Sequence, residues 1–137
     1  MKWSFESADA GSAYRARGAL LDYLASRARI GSDLEAAALI FGELVGNVVR
    51  HAPGPIAIDV YWERDVAVLR VADSGPGFHW SGNAKLPDVL AEAGRGLFIA
   101  HAVALKLQVT RLPGNGTLAT AWLPVRLDAR FRGASGM

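Results

Sequence analysis

Three polar side chains fall on one stripe of a helix predicted in the first half of the sequence. Glu43, Asn47 and Arg50 share this face when each residue turns the helix by about 100°, and His51 lies at its margin. A carboxylate, a carboxamide and a guanidinium supply a base, a metal-ligand oxygen and a phosphate donor. The residues expected to pack this helix on a core lie on the opposite face, namely Leu34, Ala38, Phe41, Val45, Val48 and Ala52.

A second polar cluster follows an apolar strand. Asp73 ends the strand, and Gly75 and Gly77 follow it in a turn. The Asp73 carboxylate could accept a hydrogen bond from the exocyclic amine of an adenine, and the two glycines would let the backbone approach a flat ring because they carry no Cβ. Gly94 and Gly96 precede another helix, so free N–H groups and the helix dipole would face an anion.

The elements that must position these residues indicate an α+β domain. The predicted order is strand, two helices, two strands, a helix and two strands, which predicts a two-layer α/β sandwich with three helices on one face of a mixed, largely antiparallel sheet. The strands are predicted at 3–6, 56–62, 66–73, 107–112 and 117–125, and the helices at 12–31, 32–52 and 97–105.

Several boundaries carry sequence signals. Gly31 is predicted to follow the C-terminus of the first helix, and Ser32 with Glu35 has the capping-box pattern that begins the second. The irregular stretch 74–93 has Lys85 near its middle, and loops of this length are usually functional or disordered. One domain is predicted to cover residues 1–126, followed by a flexible tail at 127–137.

Composition limits the class of protein. The 137 residues are 51% hydrophobic and 20% charged, as expected for one globular domain. A net charge of +2 gives no strong electrostatic case for nucleic-acid binding. The absence of cysteine fits an intracellular chain, and no signal peptide or membrane-spanning apolar run is present. A cytoplasmic protein without direct contact to nucleic acid or membrane is therefore expected.

Several familiar catalytic motifs are missing. The sequence has no P-loop, and the stretch 94–96 lacks the third glycine of a Rossmann site. Ser74 does not stand in the G-x-S-x-G pattern of a hydrolase. The three histidines, His51, His79 and His101, share no metal-ligand spacing.

The remaining pattern resembles the Bergerat-fold ATP-binding domain of the GHKL superfamily, which includes DNA gyrase and the histidine kinases. The resemblance covers residues 32–125 and rests on four motifs in the right order. They are the N-box at Glu43 to Asn47, the G1 box at Asp73 to Phe78, the G2 box at Gly94 to Leu97, and the final Gly116-Thr117 element.

Within this superfamily the sequence is most similar to the bacterial anti-sigma-factor serine/threonine kinases. Glu-Leu-Val-x-Asn-x-x-x-His-Ala and Gly-Arg-Gly-Leu are typical of that group. The resemblance implies that Glu43 is the catalytic base for a serine hydroxyl, that Asn47 is a ligand of Mg²⁺ and that Asp73 reads adenine. The residues that it assigns to ATP binding are Asn47, Arg50, His51, Asp73, Gly75, Gly77, Lys85, Gly94, Arg95, Gly96, Leu97 and Thr117.

The same resemblance implies ATP and Mg²⁺ as cofactors. It implies an anti-anti-sigma protein of the STAS type as the phosphorylated partner and a sigma factor as the second partner. Two alternatives stay open, a non-catalytic ATP-binding switch that binds a partner and a histidine-kinase catalytic domain that works in trans. A homodimer is also open, because members of this group often dimerise, although the sequence shows no interface signature.

Overall fold

Five strands and three α-helices are found in the part of the chain that the computed structural model describes, residues 1–51, 54–74, 95–114 and 116–132. The strands are β1 (Lys2–Glu6), β2 (Pro55–Glu63), β3 (Val66–Asp73), β4 (Lys106–Arg111) and β5 (Thr117–Arg126). The helices are α1 (Ala10–Arg27), α2 (Leu34–His51) and α3 (Arg95–Val103).

The strands form one open sheet in the order β1-β2-β3-β5-β4, and the helices pack on it. Helix α1 contacts β1, α2 contacts β3 and β5, and α3 contacts β4. The predicted α+β two-layer sandwich is therefore confirmed. All four described strand pairs are antiparallel, so the sheet shows no parallel pairing among the described strands. Arg64 and Asp65 join β2 to β3 with φ angles of 48° and 70°, the left-handed conformation that a two-residue type I′ turn requires.

The core lies between the helices and one face of the sheet. Because side chains alternate along a strand, Ile56, Ile58 and Val60 of β2 all point inward and are at most 1% exposed. Helix α1 contributes Leu20 and Leu24, which are fully buried. The buried face of α2 consists of Ala37, Ile40, Phe41, Leu44, Val45 and Val48.

This buried face of α2 differs in part from the predicted one. Phe41, Val45 and Val48 are buried as expected, whereas Leu34 and Ala38 are only half-buried. The face is centred closer to Leu44, because α2 packs over β3 and β5 on one side and beside α3 on the other. Ala52 lies outside the described residues.

The ends of α1 and α2 differ from the prediction. Helix α1 begins at Ala10, where the Asp9 carboxylate accepts hydrogen bonds from the Ser12 hydroxyl and the Ser12 N–H, and these bonds lower the pKa of the Asp9 carboxyl. It ends at Arg27, because Ala28 has extended backbone and pairs with Leu127. Gly31 therefore lies in the connecting turn, with a φ of 96°, and does not directly follow the helix.

Asp33 caps α2 instead of the predicted Ser32. The Asp33 carboxylate accepts a hydrogen bond from the Ala36 N–H at 2.9 Å, three residues on. The Ser32 hydroxyl instead accepts from the Arg126 N–H at 2.9 Å and thereby ties the turn to β5. Serine and aspartate can both cap a helix, so the sequence alone does not distinguish Ser32 from Asp33. The hydrogen bond that engages Ser32 with β5 is what leaves the cap to Asp33.

Residues 127–132, which the sequence assigns to a flexible tail, are packed on the domain. Leu127 is 3% exposed, and its N–H donates to the Asp65 carbonyl. A short 3₁₀ helix follows at Ala129–Phe131, and Arg132 forms an ion pair with Asp65. A single leucine in a basic, Gly-rich segment is a weak sequence signal that the segment packs on the domain. The rest of the predicted tail, 133–137, lies outside the described residues.

The Asp33→Ala variant should lower the free energy of unfolding by about 1 kcal/mol, because the Ala36 N–H loses its acceptor. Asp33→Ser should retain most of the stability, since a serine hydroxyl can also cap a helix. Urea unfolding followed by circular dichroism measures both variants. Equal destabilisation by alanine and serine would show that the side chain does not act as a cap.

Candidate functional site

Four of the predicted site residues line one cavity between the helices and the sheet. Asn47, Asp73 and Thr117 are 6%, 6% and 8% exposed, and Leu97 is 1% exposed. The other walls are apolar and consist of Leu44, Val48, Val71, Val109 and Ala119. The space among these residues is about 10 Å³, roughly the volume that one water molecule needs, so they form the floor of a site and do not by themselves enclose a small-molecule ligand.

The register of the sheet brings two of these polar residues together. Asp73 is the last residue of β3 and pairs with Ile56 on one side and Thr117 on the other. Thr117 is the first residue of β5, and directly opposite residues in an antiparallel pair have Cα atoms about 4.5–5.5 Å apart. The carboxylate and the hydroxyl group therefore extend from a backbone that neighbouring strands hold on both sides.

Gly116 lets β5 begin beside Asp73. Its φ is 108°, a conformation that residues with a side chain rarely adopt. A Cβ at this position would lie 2.2 Å from the Asp73 carbonyl oxygen, which is far inside van der Waals contact. The sequence identified Gly116 only as part of a Gly-Thr motif, and the structure supplies the physical reason for the glycine.

Asn47 contributes a buried polar atom that the described residues do not satisfy. Its Oδ1 atom is buried and accepts no hydrogen bond among the described residues. Leaving such an acceptor unpaired costs about 1–3 kcal/mol, so a donor or a cation from outside the chain fits this position. A carboxamide oxygen is a hard ligand of the kind that Mg²⁺ binds, which means that the residues present fit the predicted metal.

Glu43 and Arg50 lie on α2 but do not line the cavity. Glu43 is half-buried and precedes Asn47 by four residues, about 6 Å along the helix axis. Arg50 is exposed, and its guanidinium lies over Gly46, where an added Cβ would come within 3.2 Å of Arg50 Nη1. Helical side chains lean toward the N-terminus, and the missing side chain at Gly46 leaves room for this one.

The N-terminus of α3 lies at the cavity, because Leu97 in its first turn forms part of the wall. Unpaired N–H groups and the helix dipole at such an end favour an anion. Nothing is described of the side chains at positions 51, 95 and 96, which include the predicted His51 and Arg95. Four further predicted residues lie outside the described residues, namely Gly75, Gly77, Lys85 and Gly94, so their roles stay predictions.

The apolar walls were not among the predicted site residues. Val71, Ala119 and Val109 are neighbours on three adjacent strands, β3, β5 and β4. Val71 lies two residues before Asp73, Ala119 lies two residues after Thr117, and Val109 pairs with Ala119. Because side chains alternate along a strand, residues two positions apart lie on the same face of the sheet. That period-two pattern was the available signal, but it became useful only once the strand order was known.

These features agree with the comparisons to known proteins. The histidine kinase-like ATPase domain family matches residues 6–122, so this chain belongs to that family. Its fold is similar to that of the histidine kinase AdeS of Acinetobacter baumannii, with a TM-score of 0.54 and 17% sequence identity. The alignment covers 90% of this chain and 66% of AdeS, just under two thirds, and at this identity it supports the fold alone.

Two further findings complete the comparison. No curated protein sequence matches the chain. Among the described residues, no helix has both the length and the apolar character that crossing a membrane requires.

Gly116→Ala should lower the free energy of unfolding by about 2–4 kcal/mol, because it combines positive-φ strain with the clash against Asp73. Gly114→Ala is the matched control. Gly114 has a φ of 83° but open space around an added Cβ, so strain alone should cost about 1 kcal/mol. Urea unfolding compares the two variants, and equal losses would contradict the close approach of residue 116 to β3.

Proposed function

We propose that this chain is a Mg²⁺-ATP-dependent protein serine/threonine kinase that acts as an anti-sigma factor. Its substrate is a small anti-anti-sigma protein of the STAS type, and its second partner is a sigma factor. Membership of the histidine kinase-like ATPase family supports the nucleotide. The observation that carries the proposal is the cavity in which buried Asp73 and the unsatisfied Asn47 Oδ1 atom lie together.

The polar groups of the cavity suit the two ends of ATP. Asp73 accepts a hydrogen bond from the adenine amine, and Thr117, its neighbour across the strands, contacts the ring through water. Asn47 and the N-terminus of α3 lie on the helix side, where the carboxamide oxygen of Asn47 would hold Mg²⁺. When bound, Mg²⁺ neutralises phosphate charge and ATP supplies the phosphoryl group.

Glu43 is the residue that we assign to catalysis. Its carboxylate would take the proton of the substrate serine hydroxyl, whose oxygen would bond to the γ-phosphorus of ATP as the bond to the bridging oxygen breaks and ADP leaves. Glu43 is half-buried one helical turn from Asn47, the residue proposed to hold the metal, and it does not line the cavity. This placement, together with the two motifs typical of anti-sigma kinases, supports transfer to a serine over a switch that only binds ATP.

Asp73→Asn should abolish stabilisation of the protein by adenine nucleotides, because the carboxylate that reads the amine is replaced. ATP or ADP at about 100 times its Kd should add about 2.7 kcal/mol to the stability of the unmodified protein. Thermal unfolding with ATP, ADP and GTP, each with and without Mg²⁺, measures the effect. Asp22→Asn, on the exposed face of α1, is the control. A full adenine-specific shift in Asp73→Asn would rule out the assigned role.

Glu43→Gln should lower phosphate transfer by about 10²-fold or more while changing ATP affinity only a few-fold, because the carboxylate acts in the chemical step. Transfer from labelled ATP to a purified STAS-type protein measures the first quantity, and calorimetry measures the second. Glu35→Gln is the matched control, since Glu35 is an exposed carboxylate on the same helix.

The same assay separates the alternative functions. ATP binding without any transfer by the unmodified protein would favour the switch. An acid-labile phosphohistidine on the acceptor would favour a histidine-kinase domain. Glu43→Gln with lost ATP binding but residual transfer would overturn the catalytic assignment.

A further inference from the structure

The turn between α1 and α2, residues 28–33, is held rigidly against the end of β5. The Arg29 N–H donates to the Arg126 carbonyl at 2.7 Å, and the Asp33 N–H donates to the Pro124 carbonyl at 2.8 Å. The Arg126 N–H returns a hydrogen bond to the Ser32 hydroxyl at 2.9 Å. The turn is therefore anchored by hydrogen bonds to the end of β5 that extends beyond β4, although it lies at the surface.

This rigid turn presents an apolar side chain to solvent. Ile30 is 99% exposed, and Leu105 nearby is 55% exposed. Both line one open cleft of about 230 Å³, together with Arg29, Ser32, Pro124 and Arg126. Single exposed apolar residues are common on proteins, but a pair that lines one preformed cleft gives a partner a place to bury apolar surface. Because the turn is already ordered, little conformational entropy is lost on binding.

Two positive charges flank the cleft. Arg29 and Arg126 are exposed, and neither forms a salt bridge within the described part of the chain. Two carboxylates lie nearby: Asp33 caps α2, and Asp128 pairs with Arg130. The pKa of Asp128 is lowered mainly by its hydrogen bond from the Arg130 N–H, and the attraction of Arg29 contributes less. The cleft therefore combines exposed apolar side chains with two arginines that form no salt bridge within the described part of the chain.

We propose that this cleft docks an acidic segment of a partner protein that carries an exposed apolar side chain. The apolar side chain is buried between Ile30 and Leu105, and flanking carboxylates pair with Arg29 and Arg126. Complementary charge selects the partner and its orientation, and the apolar contact provides most of the affinity.

The docking surface is separate from the nucleotide cavity. Strand β5 begins at Thr117 in the cavity and ends at Arg126 in the cleft, and the nine steps between its ten residues, at about 3.4 Å each, span about 30 Å. A partner at the cleft leaves the cavity open. The inference therefore holds whether or not the kinase chemistry proposed above is correct.

The test uses a 14-residue peptide with leucine at every third or fourth position and glutamate at most others. Two further peptides replace every glutamate by lysine or every leucine by serine. We expect the acidic leucine peptide alone to shift the amide resonances of residues 29–32, 105 and 126 of the ¹⁵N-labelled protein. The other two peptides should shift none of these resonances at the same concentration.

Arg29→Glu and Arg126→Glu should each weaken binding of this peptide by about tenfold, the effect of losing about 1.4 kcal/mol. Arg17→Glu makes the same charge change on the exposed face of α1 and should leave the Kd within about twofold. Ile30→Ser should abolish binding without changing unfolding. Adenine nucleotides should still stabilise all four variants, which separates failure of the cleft from failure of the nucleotide site.

Several results would overturn the proposal. They are an unchanged Kd in the Arg29→Glu and Arg126→Glu variants, equal binding of the serine peptide, resonance shifts away from the cleft, or no shift at millimolar peptide. Self-association of the protein that Ile30→Ser removes would assign the cleft to a second copy of this chain instead.

Discussion

The pairing of β3 with β5 at Asp73 and Thr117 is the constraint on which the described site depends. It places a carboxylate and a hydroxyl group side by side at one end of the central strands. The pairing requires the chain to enter β5 in direct backbone contact with β3, and only Gly116 permits that approach. A local steric condition at one glycine thus determines whether the two polar groups face one cavity. Any larger residue there would clash with the Asp73 carbonyl oxygen where β5 begins beside β3.

Helix α2 has to satisfy two demands that conflict. One face fills the core with Ile40, Leu44 and Val48, whereas the adjoining edge carries Asn47 into the cavity. A buried carboxamide oxygen that receives no hydrogen bond from the described residues reduces stability. Unsatisfied buried polar groups of this kind are found where proteins bind ligands, because the ligand later supplies the missing partner. The stability that the apolar face contributes offsets the cost of this unpaired oxygen.

The two ends of β5 have different chemistry. Its first residue belongs to a cavity of buried polar groups, while its last residue belongs to an open cleft with exposed cations. A strand paired on both sides cannot slide without exchanging its inward and outward side chains, so these two surfaces keep a constant separation. The fold thereby keeps the cavity and the cleft, the sites of the two proposals, at opposite ends of one strand.

Local pattern was sufficient for most of the secondary structure. Strand β3 has the predicted bounds, because alternation and the turn at Arg64-Asp65 are properties of neighbouring residues. The ends of α1 and α2 were less predictable, since Ala28 pairs with Leu127 and Ser32 bonds to Arg126. These partners lie about a hundred residues away in the sequence, so the propensities of neighbouring residues do not predict them. The burial of Leu127 was equally hard to predict, because it depends on pairing with the distant Ala28 and not on the residues beside it in the sequence.

The sequence by itself determined the class of site. The nucleotide-binding family can be identified from the order and spacing of Glu43, Asn47, Asp73 and Thr117. This is possible because each motif consists of a few adjacent residues whose types the chemistry of the site requires. Only the tertiary structure decided which of these residues meet. It joins Asn47, Asp73 and Thr117 around a cavity walled by Val71, Val109 and Ala119, and it leaves Arg50 outside. The reason is physical: residue types and spacing are local, whereas a cavity is formed by strand order and helix packing between distant parts of the chain.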